Sequence, residues 1–175
     1  LRGACLLSNV KTNGRLVLGG DKGILIGGVV RARRGVEVQS FGSENGIKTE
    51  VYFGQDYLLA DQVEAEEREI ERLKALILQT DKRMKDLERS GFSLDEVRQD
   101  KTKLVKLIEK RGLRVFDLRE RFEEHHESTV AVRGVVHPGV ILESHNRFLE
   151  IQSRKERVVF TFDVRLGRIV EQPLK

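Results

Sequence analysis

The 175-residue sequence has no tryptophan, a single cysteine, one methionine, two prolines and an aromatic share of only 6%. A lone Cys5 cannot close an internal disulfide, and with no second thiol nearby it cannot anchor a thiolate zinc site, so it reads as a small buried hydrophobe. The longest apolar runs, such as Gly23 to Val30, fall far short of the roughly 18 residues needed to span a bilayer. Nothing has the layout of a signal peptide, and a cytoplasmic protein is expected. The chain opens at Leu1 without methionine, in what reads as mid-strand, so it is expected to be part of a larger protein.

What is present is charge. Charged residues make up 34% of the chain against 39% apolar, with a formal net charge of +4. That balance is too polar for a membrane protein and too rich in Val, Ile and Leu for a disordered one. The charge is unevenly spread. Residues 1 to 54 hold 8 basic and 4 acidic side chains, residues 55 to 129 hold 16 and 19, and residues 130 to 175 hold 8 and 5. The middle block lacks proline, and its only glycines are Gly91 and Gly112, which predicts a helical segment between two glycine-punctuated flanks.

Within that block, steps of three and four recur along Val63, Glu66, Ile70, Leu73, Ile77, Thr80, Met84 and Leu87. A second series runs Leu94, Val97, Lys101, Leu104, Ile108, Arg111, Val115, Leu118, Phe122 and His125. Each is an a/d seam of the coiled-coil type. Between them, Gly91 suits a helix C-cap, Ser93 with Glu96 a capping box, and Phe92 with Val97 a hydrophobic staple. Two seams of near-equal length joined by so short a turn predict an antiparallel coiled-coil hairpin over residues 55–129, each arm about 50 Å long. Its ends return to one place, so it can interrupt another fold.

That other fold is β. Val10 to Leu18 alternates inward and outward residues about Gly14, and Val30 to Val38 repeats the pattern some 20 residues later. Ile24 and Ile26, then Thr49, Val51 and Phe53, supply further short strands between glycine turns. The spacing predicts solenoid rungs: a parallel β-helix, discontinuous over residues 1–54 and 130–175, with the C-terminal flank completing the stack.

Several blocks carry a resemblance. Ser8-Asn9-Val10-Lys11, Gly27-Gly28-Val29-Val30-Arg31-Ala32, Phe41-Gly42-Ser43 with Gly46 and Thr49, and Val132-Arg133-Gly134-Val135-Val136-His137-Pro138-Gly139-Val140, in that order around the charged segment, resemble the flagellar assembly protein A family. The resemblance covers nearly the whole chain. It implies a right-handed parallel β-helix interrupted by a coiled-coil hairpin, in a cytoplasmic bacterial protein tied to motility, with no established enzyme activity. It also implies a longer N-terminal part. His137 departs from the aromatic residue that relatives often carry before the Pro-Gly pair.

Motifs that suggest other chemistry fail on spacing. Gly42 to Thr49 resembles a phosphate-binding loop, but three residues rather than four separate its glycines, Ile47 precedes the lysine, and a strand follows. Gly42 and Gly46 are expected instead to take positive φ in a solenoid turn. Gly19-Gly20 and Gly27-Gly28 likewise read as turns. Adjacent His125 and His126 diverge by about 100° on a helix and do not make an i, i+4 metal pair; His125 is expected to cap the seam and His126 to be solvated. No Ser-His-Asp or Cys-His context supports catalysis, and no cofactor or metal is expected.

Two sets of residues are candidates for interaction. Arg31, Arg33 and Arg34, with Lys11, Arg15, Lys22 and Lys48, give the first flank its positive balance, and aligned on one face they would meet nucleic acid, an anionic surface or an acidic partner. The flank lacks the interleaved aromatics of a single-strand binding platform. Polar seam residues Glu66, Thr80, Lys101 and Arg111 weaken a two-helix core and suggest register control or an added partner. The reading is a non-enzymatic interaction scaffold, with self-association through β-helix ends or coiled coil, and a nucleic-acid or anionic-surface module as the alternative.

Overall fold

The computed structural model of the protein describes residues 3–20 and 22–174; the expectation that the chain starts in mid-strand at Leu1 lies outside them. The strands are β1 (Cys5–Thr12), β2 (Leu16–Val17), β3 (Ile24–Ala32), β4 (Gly35–Phe41), β5 (Thr49–Phe53), β6 (Thr129–Val136), β7 (Val140–Ser144), β8 (Arg147–Glu150), β9 (Lys155–Asp163) and β10 (Arg168–Pro173). Two helices, α1 (Tyr57–Arg89) and α2 (Asp95–Glu123), lie between β5 and β6. The chain is mainly β with two helices, and it divides into two compact units, Leu1–Leu58 with Phe122–Lys175, and Leu59–Arg121.

Parallel pairing dominates the β unit. One ladder runs β1, β3, β5, β7 and a second β2, β4, β6, so that Val10, Val30, Val51 and Leu142 fall in one column. Parallel partners in the first strands are 20 residues apart, as in Leu16 with Val36. Alternation sends every second side chain inward. Leu25, Val30, Val36, Val38, Phe41, Val51, Phe53, Val130, Val132, Val136, Val140, Leu142 and Phe160 are fully buried as one core, with Cys5 at its edge. Gly42 and Gly46 take φ of 79° and 66° in the turn before β5.

The C-terminal flank departs from the expected continuation. β8 pairs antiparallel with β7, β9 antiparallel with β6, and β10 antiparallel with β9. The physical reason is turn chemistry. His145 and Asn146 both adopt left-handed φ, 52° and 58°, the conformation of a two-residue hairpin turn that reverses the chain. After β9, the Asp163 carboxylate accepts the N–H groups of Arg165 and Leu166 and closes a second reversal. β1 pairs with β3 and β2 with β4, each beginning its ladder.

In the helical unit, the least exposed positions include Val63, Glu66, Ile70, Leu73, Ile77, Thr80, Met84 and Leu87 on α1, and Val97, Lys101, Leu104, Ile108, Arg111, Val115 and Leu118 on α2. α1 ends as a Schellman motif: Phe92 N–H reaches the Leu87 carbonyl, Gly91 N–H the Glu88 carbonyl, and Gly91 sits at φ 71°. Ser93 caps α2 through Asp95, accepting its N–H at 3.3 Å and donating to its carboxylate at 3.0 Å, rather than through Glu96. Phe92 remains 67% exposed while Val97 is buried, so the staple is not formed.

Candidate functional site

The β unit concentrates its buried polar chemistry at one corner, where the chain turns out of β5 and comes back into β6. Between earlier strands the corresponding connection is short: Thr12 to Leu16, then Ala32 to Gly35. After β5 it opens between Phe53 and Thr129. Backbone hydrogen bonds stack the corners, Arg33 N–H to the Thr12 carbonyl, Gly54 N–H to the Arg33 carbonyl and His126 N–H to the Gly54 carbonyl.

Side chains complete the stack. Gln55, 4% exposed, donates to the Phe122 carbonyl at 3.2 Å and accepts the His145 N–H at 3.1 Å. Asp56 accepts from Asn13 at 3.1 Å and pairs with Arg33 at 3.4 Å, and Arg33 in turn meets His126 Nδ1 at 3.3 Å. Asp56 also accepts the Leu58 N–H, starting α1. Tyr57 is buried edge-on between Tyr52 and Phe122, at centroid separations of 6.2 and 6.1 Å. The His145 ring stacks on Phe162 at 4.5 Å, with the His125 ring 5.2 Å away.

The electrostatics follow from burial. Loss of solvation holds the His145 imidazole below its ordinary pKa, reinforced by His125; His126 is lowered for the same first reason, then by Arg33. Burial also raises the Tyr57 phenol. On the neighbouring strand face, Lys48 and Tyr52 hydrogen bonds lower Glu50, while burial and the Glu50 charge raise Glu143. Tyr52 is pushed up to about 12 by burial and by its hydrogen bond to Glu50. Ser144 Oγ lies 2.8 Å from His145 Nδ1, but Ser144 is fully buried, so the pair offers no accessible nucleophile. Asn13 Oδ1, Ser128 Oγ and His145 Nε2 are buried without a hydrogen-bond partner.

The three candidate arginines have different surroundings. Arg31 lies over the Tyr52 ring at 4.7 Å, Arg33 is taken up by Asp56, and Arg34 stays exposed at the corner, its carbonyl accepting from Arg15. Lys48 is paired with Glu50. The seam candidates do meet partners across the helices. Glu66 binds Arg111 at 2.5 Å and Arg114 at 3.2 Å, Glu67 binds Arg119, and Asp81 binds Lys101 at 2.6 Å. Thr80 instead returns its hydroxyl to the Leu76 carbonyl. Of the paired histidines, His125 is exposed and His126 half-buried, the reverse of the expectation, because α2 stops at Glu123 before reaching them. No cluster able to hold a metal ion occurs among the described residues. The Gly42 to Thr49 segment leads into β5, with Thr49 Oγ accepting the Gly27 N–H at 2.8 Å, a turn-to-turn tie rather than a phosphate cradle. Gln55, Ser128 and Ser144 were not legible as a group; their only common signal is being polar beside a strand end.

The chain matches the model of the Flagellar Assembly Protein A beta solenoid domain over residues 1–169. No curated protein and no solved structure matches the chain. No helix among the described residues is long and apolar enough to cross a membrane.

Proposed function

Because the chain belongs to the flagellar assembly protein A family, we propose that it acts in flagellar assembly or its regulation as a non-enzymatic scaffold of the bacterial cytoplasm. In this reading the β unit is a parallel β-helix, and α1 with α2 forms an antiparallel coiled-coil hairpin between its third and fourth turns. The single observation that carries the scaffold reading is the sequence of parallel ladders, in which successive repeats bury one continuous core and the buried Gln55 ties backbone groups together. The ion pairs Asp81–Lys101 and Glu66–Arg111, in which the lower α1 number meets the higher α2 number, support the hairpin. The function then lies in protein contacts: through the end of the β stack that β1 and β2 form, on which further β segments or another copy stack, and through the helices. Separate engagement of Arg31 and Arg33 weighs against the nucleic-acid alternative.

The test is genetic and structural together. In the organism that encodes the chain, residues 59–121 are replaced in frame by a short glycine-serine linker, and flagella are counted by electron microscopy. Loss of flagella with the protein still folded and present supports the scaffold reading. Normal flagellation in that strain, and in a full deletion, would sink it.

A further inference from the structure

The helical unit carries two opposite charge blocks. Residues 61–71 contain six acidic side chains and one cation, and residues 101–114 contain six cations and one acid. Inside one chain these blocks do not answer each other in full, because Lys101 meets Asp81, well beyond the acidic block, while Lys106 and Lys110 have no ion-pair partner among the described residues. On the outer side of α1, Glu64, Glu71 and Leu78 recur every seven residues, two helical turns or roughly 10 Å. Leu78 is 65% exposed, and both glutamates are largely solvent-facing, held only by Arg68 and Lys74 of their own helix. On the outer side of α2, Lys103 and Lys110 have the same spacing of seven, followed by Leu113 and Phe116, 73% and 62% exposed.

We propose that a second copy of this chain covers these faces, α1 of one copy lying parallel to α2 of the other, with Glu64 against Lys103, Glu71 against Lys110 and Leu78 against Leu113 and Phe116. Parallel alignment is the choice that matches all three, since an antiparallel one pairs the charges but sends Leu78 away from both apolar residues. As α1 and α2 of one chain run in opposite directions, the two helix pairs then run oppositely, and a two-fold axis repeats the contact. The interface is isologous and closes as a dimer. Charge complementarity selects the second copy over an unrelated helix, because the acidic and the cationic stripe share one spacing within one sequence. Exposed ion pairs such as Glu64 with Arg68 are weak and exchange partners at little cost.

This inference rests on the reading of α1 and α2 as a hairpin, and the experiment separates the two. A disulfide between Ile77→Cys and Ile108→Cys within a chain reports the hairpin. The dimer is read by light scattering on the whole chain, at low and at high salt. Wild type is expected to show a doubled molar mass at low salt that falls toward one chain at high salt. The Lys103→Glu/Lys110→Glu variant and the Glu64→Lys/Glu71→Lys variant are each expected to be monomeric, and an equimolar mixture of them to recover the doubled mass, since both contacts are then opposite in sign. Circular dichroism confirms that each variant is helical. A monomeric wild type, a dimer indifferent to both reversals, or a mixture that stays monomeric would each overturn the proposal, whatever the disulfide reports; a missing disulfide would remove the hairpin beneath it.

Discussion

Gln55 donates its side-chain amide to the backbone carbonyl of Phe122 at 3.2 Å, across 67 positions of sequence. The same side chain accepts the His145 N–H, so one buried residue satisfies backbone groups from two distant segments of the β unit. Replacing it with leucine preserves volume and leaves both backbone groups in want of a partner. The expected cost is about 1–3 kcal/mol for each buried group orphaned. Urea unfolding followed by circular dichroism checks it, and a Gln55→Leu midpoint equal to wild type would show that solvent reaches the corner.

Histidine burial predicts a pH dependence. His145 faces Ser144, Gln55, Phe162 and His125, while His126 faces Arg33, Asp56 and Glu124, and both imidazoles lie below the ordinary value near 6.5. The unfolded chain therefore binds protons that the folded one refuses. Stability is flat above about pH 7 and falls as pH drops through 6.5 toward the lowered folded values. The His145→Asn variant tolerates the left-handed φ at this turn and does not titrate, so its stability should fall less steeply over the same range. Equal slopes for the two proteins would assign the effect elsewhere.

Gly54 stands at φ 88° with its missing Cβ position 2.9 Å from Ser144 Oγ and 3.1 Å from Ser128 Oγ. Both serines are buried, and Ser144 Oγ is engaged with His145 Nδ1. Alanine there adds left-handed strain to a clash, and Gly54→Ala is expected to lose about 1–3 kcal/mol. Gly46 also has positive φ, at 66°, but open space around it, so Gly46→Ala should cost only the strain and lower the melting temperature less. Reversal of that order would mean that the corner repacks freely.

Local patterns were legible in the sequence, and long-range partnerships were not. Steps of three and four marked positions on α1 and α2 that are shielded, such as Leu73 and Leu118, because helical spacing is a property of neighbours. The 20-residue repeat marked β1 and β3 for the same reason. The corner assembles Asn13, Arg33, Gln55, His126 and His145 from separated segments, and no spacing rule joins them. The reversal after β7 was missed because His-Asn replaces the usual Asn-Gly. Phe92 has the right position for a staple, but the entry to α2 leaves it in solvent.

The Glu66 carboxylate shows why a polar group persists in an apolar seam. It is 9% exposed and held by Arg111 and Arg114, yet Arg111 Nε is buried without an acceptor, so the cluster is incompletely satisfied. Desolvation of such a group offsets much of its attraction to the arginines, and removing one partner is worse than removing both. Arg111→Ala should therefore destabilise by about 1–3 kcal/mol, reduced from a fully buried pair because Arg111 is partly exposed and Arg114 remains. Glu66→Leu combined with Arg111→Leu should recover that loss or exceed wild type. What the leucine pair gives up is specificity, since Glu66 no longer selects its opposite position. The Ile77→Cys/Ile108→Cys disulfide then reads register: it should form completely with Glu66 and Arg111 present and partially in the leucine background. A double-leucine chain less stable than Arg111→Ala would show instead that the ion cluster is a net source of stability.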